Sequence, residues 1–301
     1  MVFHVPVMLE KSIEMLNIKP DGIYVDATYG GGNHSAEILK KLNSKGKLIA
    51  IDQDEDAIKN ANKNIDNLML IHGNFKYLKN YLKYLKIEQV DGIFADLGLS
   101  WYHVDNSERG FSYRFDTKLD MRMNYYSDFT AEKLINEYSF EQLCYIFKYY
   151  GELPQYNKIA EAIINYRKKE PIKTTGQLSS IIVELFPKNL IYHNLSKVFQ
   201  AIRIEVNHEI ENLKSFLNQT IDILKPGGRL AILTYHSLED RIVKNFMKTG
   251  KTENEIKLKI DKNVEKMIFK SITKKPITPS SSEIKKNRRC RSAKLRVVEK
   301  I

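Results

Sequence analysis

Residues 23–35 read Ile-Tyr-Val-Asp-Ala-Thr-Tyr-Gly-Gly-Gly-Asn-His-Ser, and this stretch decides the fold. An apolar run from Ile23 to Ala27 carries Asp26, turns through Gly30, Gly31 and Gly32, and enters a helical pattern from His34 to Leu42. A strand, a glycine turn and a helix start in that order bring bare backbone against a nucleotide-like ligand. About twenty residues on, Lys47 to Ala50 read as a second strand that ends in Ile51-Asp52. An acid at that place suits the two hydroxyls of a ribose. A third acid, Asp96, closes the apolar strand Gly92 to Ala95. Glycine turns alone are common; three strand ends that agree are not.

The turn departs from the phosphate-binding patterns. A dinucleotide fingerprint needs glycine at the sixth place from Gly30, where Ser35 stands, and a phosphate loop needs Gly-Lys-Ser/Thr where Asn33-His34-Ser35 stands. Asp26 at the mouth of the turn would repel a pyrophosphate and suits a cationic ligand. S-adenosylmethionine fits, being positive at its amino group and sulfonium, neutral at its adenosine and free of phosphate. The alternative for Asp26 is a strand-end turn former.

With 301 residues and 43% hydrophobic composition the chain can bury one large core or two domains. Two cysteines, Cys144 and Cys290, make no disulfide framework. The N-terminus lacks the basic segment and cleavage site of a signal peptide, and no apolar run reaches membrane-spanning length. The expectation is a cytoplasmic protein without a membrane partner. The seven histidines and two cysteines show no metal-ligand spacing, so no metal is expected. Charge is unevenly spread: residues 241–301 carry a net +13, leaving −2 for residues 1–240. The excess peaks between Lys285 and Lys294, where Arg288, Arg289 and Arg291 stand in an otherwise lysine-rich chain. A basic run is often only a solvated face, but the planar guanidinium is the better phosphate clamp, so the reading is a nucleic-acid footprint.

Beyond Asp52 the α/β alternation continues through helix 55–64, strand 68–72, helix 77–85 and the strand ending at Asp96. From about residue 105 to 203 only helical patterns occur: 138–149, 158–168, 177–186 and 196–205, separated by Gly151, Pro154, Pro171 and Pro187. Alternation then resumes with helix 209–224, the turn Lys225-Pro226-Gly227-Gly228 and strand 229–235. Ser237 is the expected cap of the next helix, with Asp240 at its third position. Late β patterns at 268–272 and 295–298 suggest a closing hairpin. The expected architecture is a doubly wound, Rossmann-like α/β domain, residues 1–104 with 204–301, interrupted after its fourth strand by an all-helical domain, residues 105–203.

The chain resembles the RsmH/MraW family of S-adenosylmethionine-dependent class I methyltransferases nearly end to end. The resemblance is carried by His4 to Glu10, Asp26 to Ser35, Ile51 to Asp54, Asp96-Leu-Gly-Leu-Ser100, Arg109-Gly-Phe-Ser112, Leu119-Asp-Met-Arg-Met123, Phe199 to Asn207, Leu224 to Arg229 and His236 to Arg241. It implies methylation of N4 of a decoding-region cytosine in small-subunit (16S) ribosomal RNA. By resemblance the cofactor contacts fall on Gly32, Asn33, His34, Asp52, Phe75 and Asp96. A glutamine usual in the family is replaced by His103, which can still make one hydrogen bond.

Cytosine N4 is a poor nucleophile because its lone pair is delocalised, so the site needs an acceptor for its N–H and aromatics for the extruded base. Many amine methyltransferases carry Asp/Asn/Ser-Pro-Pro-Tyr/Phe here, whereas this chain has Asp96-Leu-Gly-Leu-Ser-Trp-Tyr102. Backbone carbonyls near Leu97 to Leu99, Ser100 or Asp96 are the candidate acceptors. Trp101 and Tyr102 either stack on the base or pack the loop. His236, after the fifth strand, either touches substrate or supports the site. Two rival readings stand beside this one: a methyltransferase for another structured RNA, and a non-catalytic RNA-binding assembly factor that keeps the fold.

Overall fold

The computed structural model describes residues 6–62, 64–99, 107–252 and 267–301. The chain divides into two compact units, residues 1–98 with 210–301, and residues 99–209.

The first unit is built on strands β1 (Ile23–Asp26), β2 (Lys47–Asp52), β3 (Leu68–His72), β4 (Val90–Asp96), β5 (Leu224–Thr234), β6 (Phe269–Ser271) and β7 (Lys294–Lys300). They form one sheet in the order β3-β2-β1-β4-β5-β7-β6. β1 to β5 run parallel, and β7 lies antiparallel to both β5 and β6. The α/β sheet and its closing hairpin are those expected from the sequence. β4 is buried from Val90 to Ala95, as a parallel strand covered on both faces must be. The helices are α1 (Leu9–Leu16), α2 (Asn33–Lys41), α3 (Glu55–Lys59), α4 (Leu78–Tyr84), α10 (Glu209–Ile223, whose first residue belongs to the second unit), α11 (Ser237–Thr249) and α12 (Ser281–Lys286). At the amino end of the sheet, Asp91 accepts from Lys225 Nζ at 2.7 Å and from Ile23 N at 3.0 Å, tying β1, β4 and β5 together.

The second unit is helical: α5 (Ala131–Glu137), α6 (Phe140–Tyr149), α7 (Tyr156–Arg167), α8 (Thr175–Val183) and α9 (Ile191–Val206). Capping boxes at Ser139/Gln142 and Thr174/Gln177 set the starts of α6 and α8. Leu143, Phe147, Ile159, Ile163, Leu178, Ile182, Val198 and Ile202 are wholly buried. The segment Leu119–Met123 is held from two sides: Asn207 donates to Met121 O and accepts from Met123 N, each at 2.8 Å, and Arg109 donates to Arg122 O at 2.9 Å. Among the described residues no helix is long and apolar enough to cross a membrane.

Three local expectations are corrected. α3 ends at Lys59, not at residue 64; beyond it asparagine side chains bond locally and compete with the helix, Asn62 Oδ1 accepting from Asn64 N. The cap of α11 is His236, one residue earlier than Ser237, and its box partner is Glu239, not Asp240. Lys294, counted with the basic run, is ion-paired within the fold: its Nζ lies 2.9 Å from Asp240 Oδ2.

Asp240 joins α11 to β7, since Arg296 Nε also donates to its Oδ1 at 2.7 Å. Burial pushes the Asp240 carboxyl up, and the hydrogen bonds from Arg296 and Lys294 outweigh it, so its pKa lies below the ordinary value. Its stabilisation is therefore complete above the unfolded carboxylate pKa, about 3.9, and is lost as pH falls through the lower folded value. Asp240→Ala should cost about 3 kcal/mol in urea unfolding at pH 7 by leaving the largely covered Arg296 guanidinium without its partner. A loss under about 1 kcal/mol would place the pair among exposed, weak ion pairs.

Candidate functional site

The ends of β1, β2 and β4 are laced together by side chains that the ligand motif supplies. The turn after β1 is held by Tyr29 N to Ile51 O and Gly32 N to Tyr29 O, both 2.8 Å. Gly32 adopts φ +73°, and a Cβ there would lie 2.5 Å from Tyr29 Oη, so only glycine fits. Gly30 N donates to Asp52 Oδ2 at 2.7 Å, and Asp54 N donates to Asp52 Oδ1 at 2.8 Å. Asp52 thus fixes the turn with the same carboxylate that suits a ribose, since a carboxylate oxygen can accept more than one hydrogen bond. Thr28 Oγ1 accepts from Asp96 N at 2.7 Å, which locks the start of the loop after β4 to the turn.

Asp26 does not face a ligand. It is wholly buried, accepts from Ser35 Oγ at 2.6 Å and from Thr28 N at 3.2 Å, and so is the turn former of the two readings. Burial above all raises its pKa to about 7, with Asp96 and Asp52 adding to the rise. Among the described residues, Asp52 and Asp96 are half-exposed acids at the strand ends.

Helix α2 begins immediately after Gly32, so the backbone N–H groups of Asn33 and His34 lie in its first turn, where they suit a carboxylate. The His34 side chain points elsewhere. Its ring packs 4.5 Å from Phe94, Nε2 lies 3.2 Å from Val7 O, and burial pushes its pKa down. His34 can therefore meet a cofactor through its backbone, not its imidazole. Phe75 sits in a 3-10 turn after β3, edge-on to Phe216 at 5.1 Å. The adjoining Asn74 donates from Nδ2 to Gln53 Oε1 at 2.7 Å, joining the ends of β2 and β3.

His236 caps α11: Nδ1 accepts from Glu239 N at 3.4 Å, and Nε2 lies 3.1 Å from Glu239 Oε1. Tyr235, which sequence reasoning missed, brings its hydroxyl near the Asp96 carboxylate; burial first and the Asp96 charge next hold the phenol's pKa well above its ordinary value. Its position one residue past a parallel strand, at the carboxyl edge, was the available signal. Ser100, Trp101, Tyr102 and His103 lie outside the described residues.

The basic segment reaches this same edge. Lys294, the first residue of β7, pairs with Thr234, the last of β5, so the 3-10 turn Arg288–Ser292 precedes β7 at the carboxyl end of the parallel strands. Cys290 is buried in the core there, while Arg288, Arg289 and Arg291 are exposed.

The arrangement fits a neutral adenosine with a charged amino-acid tail: an acid for the ribose, helical N–H groups for a carboxylate, and no phosphate lysine in the turn. The sequence pattern of the MraW methylase family matches residues 1–301. A ribosomal RNA small subunit methyltransferase H of Bacteroides thetaiotaomicron is 49% identical over 300 residues, 100% of this chain and 98% of that protein. The protein of the same name from Flavobacterium johnsoniae is 48% identical over 301 residues, 100% of this chain and 99% of its own. Among solved structures, an rRNA methylase from Streptococcus thermophilus aligns over 97% of this chain and 93% of its own, at 14% identity and a TM-score of 0.41.

The raised Asp26 pKa has a consequence for stability. The folded protein keeps this proton to about pH 7, whereas the unfolded chain loses it near 3.8, so Asp26 lowers stability as pH rises across that window. Asp26→Asn can accept from Thr28 N and donate to Ser35 Oγ without a charge. The variant should gain a few kcal/mol at pH 8, at about 1.4 kcal/mol for each tenfold change in proton affinity, and show a flatter stability profile between pH 4 and 7. Equal pH profiles for the variant and the wild type would mean that Asp26 is ionised throughout.

Proposed function

Because the chain belongs to the MraW methylase family, it is an S-adenosylmethionine-dependent methyltransferase, and we propose that it methylates N4 of a cytosine in the decoding region of small-subunit ribosomal RNA. The observation that carries this reading is the end-to-end relation to ribosomal RNA small subunit methyltransferases H, on top of an edge where Asp52, Asp96 and the α2 amino end converge.

The cofactor supplies an activated methyl group, so the protein's tasks are binding, orientation and exclusion of water. Asp52 holds the ribose, the first turn of α2 the carboxylate of the amino-acid tail, and Phe75 flanks the adenine. Asp96 and the backbone of Leu97 and Gly98 supply acceptors for an amine N–H. Arg288, Arg289 and Arg291 grip phosphates at the same edge. The unit 99–209 reads the shape of the RNA. Its exposed Tyr126, Tyr145, Tyr149 and Tyr192 support that role, since aromatic faces stack on unpaired bases. A substrate in a cytoplasmic small subunit, assembled or assembling, agrees with these assignments.

Mass spectrometry of nucleosides from small-subunit RNA, after incubation with the protein and labelled S-adenosylmethionine, should show label only in N4-methylcytidine. Label in transfer RNA alone would favour the other-RNA reading, and no label in any RNA would favour the assembly factor. Changing Arg288, Arg289 and Arg291 together to Gln should flatten the slope of log RNA affinity against log salt by roughly 2–3 units. Calorimetric S-adenosylmethionine affinity should stay unchanged. An unaltered salt slope would make the run a solvated face, and lost cofactor affinity would give it a structural role.

A further inference from the structure

Tyr235 leaves β5 beneath the segment that follows β4, and two contacts define its place there. Its hydroxyl lies near the Asp96 carboxylate. Its ring occupies the space beside Gly98, where a built Cβ would lie 2.5 Å from Cε2 and 2.9 Å from Cδ2. Gly98 has no positive φ, so the neighbouring ring, not the backbone conformation, requires glycine at this position. Leu97 N donates to Leu233 O at 3.1 Å, keeping the segment in register with β5.

Tyr235 is itself held. Its N–H donates to Glu239 Oε2 at 3.0 Å, and Glu239 is buried at 3% exposure in the first turn of α11. A rigid line of contacts therefore runs from α11 through Tyr235 to both the side chain of Asp96 and the backbone of Gly98.

We propose that Tyr235 is a positioning residue for methyl transfer, holding the Asp96 carboxylate and the Leu97–Gly98 backbone in the arrangement that accepts the N–H of the target amine. This rests on the reading of that segment as the amine-receiving part of the site. Burial first, and the neighbouring Asp96 charge next, hold the phenol well above its ordinary pKa, so it serves as a hydrogen-bond donor throughout the working pH range. An amine with a delocalised lone pair gains reactivity only from acceptors that are already aligned, and small misplacements of aligned groups are costly in rate.

Tyr235→Phe keeps the ring against Gly98 and removes only the hydroxyl. In steady-state methyl transfer to small-subunit RNA, kcat should fall about tenfold or more, as for one hydrogen bond to a charged group. The KM for RNA should stay within about twofold, and the Kd for S-adenosylmethionine should change by a much smaller factor than kcat. Gly98→Ala should also lower kcat, and by a smaller factor in a Tyr235→Leu background, where the space beside residue 98 is freed. A wild-type kcat in Tyr235→Phe, parallel losses of kcat and cofactor affinity, or independent effects of the residue 98 and 235 changes would each overturn the proposal. Product analysis keeps the two readings apart. Wild-type methylation at a site other than cytosine N4 defeats the substrate assignment, while the kcat split of Tyr235→Phe on that product still decides the role of Tyr235.

Discussion

The hydrogen bond from Gly30 N to Asp52 Oδ2 is the contact on which the site depends. A glycine turn between a strand and a helix leaves backbone donors that must find partners, and the free chain entropy of three consecutive glycines works against any single turn conformation. The carboxylate at the end of the neighbouring parallel strand supplies the partner at 2.7 Å, and its second oxygen secures Asp54 N at the start of α3. The group that suits a ribose is thus also the group that shapes the turn. Binding and local folding share one carboxylate, and a ligand at Asp52 meets a turn already in place, with less ordering left to lose.

The same economy extends across the sheet. Thr28 secures Asp96 N, Tyr29 N reaches Ile51 O, and Asn74 reaches Gln53, so the ends of four parallel strands are cross-linked by side chains and backbone lying within a few residues of each terminus. Asp26 is the internal brace. A buried carboxyl between Ser35 and Thr28 holds the first turn of α2 onto β1, and its pKa near 7 reflects a location too dry for charge. Asp52 and Asp96, by contrast, are half-exposed and open to a ligand.

Much of this was legible in the chain itself. The continuous apolar runs of β1, β2 and β4, each ending in an acid, could only be buried parallel strands, and the helix patterns of residues 138–205 contained no competing period of two. What was not legible was direction and depth. Sequence spacing places Asp26 and Asp52 equally at strand ends, but only packing reveals that one is sealed and the other half-exposed. His34 matches a cofactor-loop position, yet its imidazole is consumed by Phe94 and Val7 O, a contact set by a segment distant in sequence. The cap at His236 was displaced by one residue because histidine is an uncommon cap, and Glu239 completes the box at the spacing that Ser237 and Asp240 only imitate. Tyr235 escaped notice because a tyrosine at the end of an apolar strand reads as core.

The basic segment shows how topology converts composition into function. Its net charge was visible in the sequence, but its location depends on the direction of β7. Had β7 joined β5 in parallel, its first residue would lie at the amino edge, beside Asp91 and Lys225, and the preceding arginines would be remote from the ligand edge. Running antiparallel, β7 starts beside Thr234 and carries the turn Arg288–Ser292 to the carboxyl edge. The strand then sorts its charges: Lys294 and Arg296 turn to Asp240, while Arg288, Arg289 and Arg291 stay outward around the buried Cys290. The inward pair anchors the platform and the outward arginines face solvent, so one short run of sequence serves both the fold and the approach of a polyanion.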